Sequence, residues 1–224
     1  DLSNFNFKIL KSGIDVDIDF DEKKNRDNIS GVVKSKILNS NLKFNFIYDG
    51  NTIDIYNSFF RSKNISLKNN SSISLRPFLD SSSKFEIEDL NLKILDQINT
   101  EKLLHFKEKF KIISSKNEVI YNSKKFNNNL IEKMNLKFDS AYGRLNYSNK
   151  ISFSDHVFNC KGNLNLLEDY PLLFFDCSIL INDKKKLFKK FLINIKSSNG
   201  ALELKAKGNL NILNNKINLD KITM

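Results

Sequence analysis

Residues 158–179 read FNCKGNLNLLEDYPLLFFDCSI, and the spacing of their apolar positions decides how the rest of the chain is read. A turn centred on Glu168 and Asp169 sets Leu164 opposite Leu173, Cys160 opposite Cys177 and Phe158 opposite Ile179. Asn159, Lys161, Asn163 and Asn165 then share the other side. Apolar residues at every second position, meeting apolar residues across a turn, are what an antiparallel hairpin with one buried face requires. The centre of this stretch, KGNLNLL at Lys161–Leu167, returns as KGNLNIL at Lys207–Leu213 with only Leu166 exchanged for Ile212. Such self-similarity reads as a structural repeat. In the second copy, a turn on Asn214–Asn215 is expected to set Ile212 opposite Ile217 and Leu210 opposite Leu219. Upstream, Asn199–Gly200 is expected to set Ile195 opposite Leu204 and Ile193 opposite Ala206. Each copy therefore opens the strand that leads into a tight hairpin, with Gly162 or Gly208 marking a bend or bulge.

The same period of two runs outward through Phe5, Phe7 and Ile9; Ile14, Val16, Ile18 and Phe20; Leu42, Phe44, Phe46 and Tyr48; Ile53 and Ile55; Phe85 and Ile87; and Leu145 and Tyr147. Asp49-Gly50 is a two-residue hairpin signal, predicted to place Phe46 opposite Ile53 and Phe44 opposite Ile55. The fold class is mostly β: a long, curled antiparallel meander forming an open hydrophobic groove, with one or two short helices. The first helix is expected near 100–112, capped by Asn99 or Thr100, with Leu103, Phe106, Phe110 and Ile113 as one apolar stripe over the sheet. Asp183 caps a shorter one through the basic KKKLFKK at Lys184–Lys190. Residues 1–83 read as a strand array continuing the same sheet and 84–224 as the region carrying the helix.

With 224 residues, 40% hydrophobic and 28% charged, the chain is long enough to bury a core, and no apolar run approaches a membrane span. It opens on Asp1 without a leader, so it reads as an excised piece whose export signal or anchor lies elsewhere. The net charge of +10 comes from scattered lysines beside many Asn, Ile and Phe, a bias that AT-rich codons write, and it reads as a solvated basic surface rather than a nucleic-acid site. Chemistry is sparse. Only two histidines are present: His105, four residues after Glu101 on the polar side of the expected helix, and His156, read as a loop residue after Asp155. There is no phosphate-cradling glycine loop, nucleophile elbow or metal-spaced Cys/His set, so neither an enzyme nor a cofactor or metal is expected. Cys160 and Cys177 stand opposite each other either as two small apolar residues or as a disulfide of an exported protein.

An apolar sheet face this long must be covered or closed on itself; the alternatives are a closed barrel or β-solenoid filled by its own side chains, serving structure or adhesion, and a sheet that leaves a trough. FEIEDLNLKIL, the helix from Asn99, GRLNYSNKISFSDHVFNCKGNLNLLEDYPLLFFDCSILI and ALELKAKGNLNILNNKINLDKI resemble the C-terminal half of AsmA-like proteins of Gram-negative envelopes, relatives of TamB and YhdP, over residues 84–224. That resemblance implies a periplasmic β-groove, anchored to the inner membrane by a segment outside this chain. It also implies phospholipid or another acyl lipid as the partner, carried between the inner and outer membranes, with no nucleic acid. Phe44, Phe46, Ile53, Ile55, Phe85, Ile87, Phe158, Leu164, Leu173 and Phe175, which share a facing in the predicted hairpins, are the expected lining.

Overall fold

The computed structural model describes residues 3–9, 13–21, 28–91, 107–123, 131–153, 156–185, 189 and 200–224. Fourteen strands follow one another: β1 (Asn4–Ile9), β2 (Ile14–Phe20), β3 (Ile29–Ile37), β4 (Ser40–Tyr48), β5 (Thr52–Arg61), β6 (Ile65–Ser74), β7 (Asp80–Leu90), β8 (Ser114–Asn122), β9 (Lys133–Ala141), β10 (Arg144–Phe153), β11 (His156–Asn165), β12 (Leu172–Ile181), β13 (Leu202–Asn211) and β14 (Ile217–Thr223). They form one sheet in sequence order, from β1 at one end to β14 at the other. The sheet is open, so the closed barrel is not what the chain forms.

By contacts the chain divides into two compact units, Asp1–Ile98 with Ile112–Val119, and Asn99–Lys111 with Ile120–Met224. The boundary expected at 83/84 falls inside β7. One helical turn, α1 (Lys107–Phe110), ends the expected first helix; its earlier residues 100–106, including Leu103, His105 and Phe106, lie outside the described residues. Ile113 follows the helix in extended chain. Of the second expected helix, Lys184, Lys185 and Lys189 are helical, while Leu187, Phe188 and Phe191 lie outside the described residues.

The hairpin read first has the expected register: Leu164 faces Leu173, Cys160 faces Cys177 and Phe158 faces Ile179. Two others are shifted by two residues. Phe46 faces Ile55, not Ile53, and Tyr48 faces Ile53. The Asp49 carboxylate accepts from the Asn51 and Thr52 backbone N–H groups at 2.9 and 2.6 Å, and the Asp49 N–H donates to the Thr52 carbonyl. These bonds move the central pair to Gly50-Asn51, with Gly50 at φ 92°, the position at which a type II′ turn takes glycine. Likewise Leu210 faces Ile217, not Leu219, because the Asn211 and Asn214 side chains cap Leu213 and Lys216 and Asn215 takes φ 55°. On its other side β13 pairs with β12, Leu204 against Ile179 and Ala206 against Cys177. The proposed partners Ile193 and Ile195 lie outside the described residues.

The repeated heptads make the same local contacts. Asn165 and Asn211 each accept from the backbone N–H two residues on. Leu166 donates its N–H to the carbonyl of Gly143, in the preceding hairpin turn, and Ile212 donates to Pro171, in the turn after that. Leu166 and Ile212 are then buried together with Leu164, and Phe110, Leu145, Leu173 and Leu210 pack around them. The two glycines sit in one cross-strand row, Phe138–Tyr147–Gly162–Phe175–Gly208–Leu219, where the aromatic rings lean over the bare backbone. Gly208 does mark a register shift against β14. Gly162, by contrast, keeps regular pairing on both sides, and its place is set by the close approach of its neighbours.

Candidate functional site

Alternation sorts each unit's side chains onto two faces of its sheet. In the first unit the ladders Phe46–Ile55–Ser71–Ser83 and Tyr48–Ile53–Ile73–Ser81 carry Phe46, Ile53 and Ile55 on one face. Phe85 and Ile87, two and four residues beyond Ser83 and opposite Asn69 and Leu67, share it. Phe44 joins them through Val33 of β3. Its expected partner Ile55 faces Phe46 instead, and Phe44 falls at the β4–β5 register shift between Lys43 and Asn45, where Asn57 takes φ 49° to absorb the extra residue. Phe20 and Phe46 meet edge to face at 6.1 Å over Gly31, the residue between them.

In the second unit Phe158, Leu164, Leu173 and Phe175 lie on one face, with the Cys160–Cys177 pair among them. The two cysteines form a disulfide, their Cα atoms 4.0 Å apart. Leu164 does not line an open surface: at 3% exposure it is sealed in the buried cluster, because the second repeat's Ile212 folds down on it. The other nine expected lining residues are partly exposed. Each unit thus gathers its own set; four residues belong to the second unit and six to the first.

Tyr147 and Phe138, outside the expected lining, stand in the same row as Phe175. Burial pushes the Tyr147 hydroxyl pKa up, and the hydroxyl lies 3.8 Å from Cys160 Sγ. Their signal was already present in the alternation of β9 and β10. His156 is a buried strand residue, not a loop residue: it is 0% exposed, its Nδ1 accepts from the Asn182 N–H at 3.2 Å, and its ring meets Phe153 edge to face. Among the described residues no group of three or more His, Cys, Asp or Glu side chains is placed to hold a metal ion, and no helix is long and apolar enough to cross a membrane.

The opposite faces carry most of the charged and amide side chains, with Phe174 and Leu180 exposed among them on the second unit. On the first unit, Asp15 and Asp19 of β2 pair with Lys8 and Lys34 at 3.2 and 2.9 Å. The hydrogen bond from Lys34, with that from Asn4, holds the Asp19 carboxyl below the usual range. Exposed pairs of this kind are screened by solvent and add little to stability. Their effect is to keep that face wet while the apolar side chains take the other. An apolar sheet face that its own chain leaves partly exposed can accept another apolar body without first unfolding anything. No known protein family, curated protein or solved structure matches the chain.

Proposed function

We propose that this chain binds phospholipid acyl chains along the apolar faces of its sheet, as the periplasmic part of an AsmA-like protein that moves lipid between the inner and outer membranes in envelope biogenesis, anchored by a segment outside it. One observation carries the reading: nine of the ten expected lining residues stay partly exposed in a chain with six buried apolar side chains among those described, Tyr121, Leu164, Leu166, Pro171, Ile181 and Ile212. A self-filled structural module would seal such rows. Burying an acyl chain against them yields about 0.8 kcal/mol per methylene, and a row of similar side chains makes each sideways step nearly isoenergetic, so transfer is passive sliding.

The reading is tested by photo-crosslinking from positions 46 and 175, with Asn163 on the polar face as control. Phospholipid adducts are expected from the first two alone. Crosslinks confined to protein would overturn it. Phe46→Asp and Phe175→Asp should abolish lipid transfer by placing a charge in the track, whereas Asn163→Asp should leave it intact.

A further inference from the structure

The polar face of the second unit holds a feature that acyl-chain binding does not use. Two neighbouring cross-strand rows run over it: Lys137–Ser148–Lys161–Asp176–Lys207 and Asn135–Lys150–Asn159–Ser178–Lys205. Ser148 and Ser178 are short, so the surface sinks between the long lysine stems. The result is a concavity of about 680 Å³.

Five lysines line it against one carboxylate, Asp176. Lys207 pairs with Asp176 at 2.8 Å, and Glu203, from outside the lining, reaches Lys205 at 3.1 Å, so positive charge remains in excess. The hydrogen bond from Lys207 holds the Asp176 carboxyl below the usual range, and the charges of Lys161 and Lys205 reinforce it. Ammonium groups from β11 and β13 therefore converge on the one carboxylate. The flanking rows differ: Asp139–Asn146–Asn163–Phe174–Asn209 carries no lysine, and Lys133–Ser152–Val157–Leu180–Glu203 carries one. Charge confined to two rows around a depression suits a compact ligand better than a long polymer, which needs a continuous basic stripe. Several point-charge ammonium groups with neutral Asn and Ser donors between them suit clustered phosphate oxygens.

We propose that this concavity binds a compact polyanion bearing two or more phosphate groups, gripped by Lys137, Lys150, Lys161, Lys205 and Lys207. The site lies on the face of the second unit opposite its apolar rows and does not rest on the lipid-carrier reading. The same chemistry is offered by a free oligophosphate and by a phosphorylated lipid headgroup.

Titration calorimetry of the purified protein with inorganic tripolyphosphate at low salt tests the proposal. One saturable site is expected. Lys150→Gln and Lys161→Gln should each weaken it by roughly tenfold, the loss of one charged hydrogen bond, and Lys161→Arg should restore it. Asp176→Asn, which removes the competing carboxylate, should tighten binding. Lys84→Gln in the first unit, where Lys84 pairs with Glu86, should change nothing. Vesicles containing cardiolipin, whose headgroup carries two phosphates, that bind with the same lysine dependence and are displaced by tripolyphosphate would assign the headgroup source; tripolyphosphate binding without vesicle binding would assign the free anion. No saturable binding, or equal weakening by Lys84→Gln, overturns the proposal.

Discussion

A Cβ atom added to Gly162 would lie 1.8 Å from the Phe174 carbonyl oxygen, and one added to Gly208 would lie 2.1 Å from the Asn218 carbonyl oxygen. Both obstacles are backbone, so neither can swing aside. Gly162→Ala should therefore cost about 2–3 kcal/mol, the upper part of the overpacking range, read as a lower urea midpoint. Gly50→Ala meets no atom within 4 Å but must hold φ 92°. It should cost about 1 kcal/mol from backbone conformation alone. A Gly50 variant as damaging as the Gly162 one would show that contact, not conformation, is misassigned. The glycines were conspicuous in the repeated heptads, but a sequence does not say which backbone comes close, and Gly162 was read as a bend for that reason.

At the scale of strands and turns, the shifted hairpins show which information is local. Because side chains alternate with a period of two, a two-residue register error leaves every residue on its correct face and changes only its partner. Phe46 was therefore placed on the right face opposite the wrong isoleucine. The partner is chosen by the Asp49 carboxylate. Its bonds from Thr52 and Asn51 hold its pKa below the usual range, so the turn's stabilisation is present above the unfolded carboxylate pKa of about 3.9 and is lost as pH falls through the lower folded value. Asp49→Ala should remove that pH dependence, seen as protection factors at the Asn51 and Thr52 amides that are already low at neutral pH and no longer fall through the acid range. Strands β3 and β8 carry no clear alternation in the sequence. Gly31 and Ser35 break the apolar alternation of β3, and the first half of β8 is Ser114-Ser115-Lys116-Asn117; both are strands because their neighbours supply ladder partners.

Among the described residues, the strand contacts join strands adjacent in sequence, and the one covalent cross-link joins residues 17 apart. Closing so short a loop restricts the unfolded chain and should add about 3 kcal/mol in the chain-entropy account. Replacing both cysteines by alanine should lower the denaturation midpoint accordingly and reduce amide protection in β11 and β12 first. An unchanged midpoint would mean that the bridge adds nothing beyond the ladder already present.

The amino-acid sequence alone determined that this chain is an antiparallel meander, which residues face together, and that Cys160 meets Cys177, because alternation and turn chemistry act over a few residues. Only the tertiary structure decided that the sheet stays open, that Leu164 is sealed while Phe175 is not, and that five lysines from four strands surround one depression. Those outcomes depend on which strands become neighbours and on how far long side chains reach across them. Two copies of one heptad look equivalent in the sequence, yet Ile212 of the second closes over Leu164 of the first, a contact that exists only once β12 and β13 have paired.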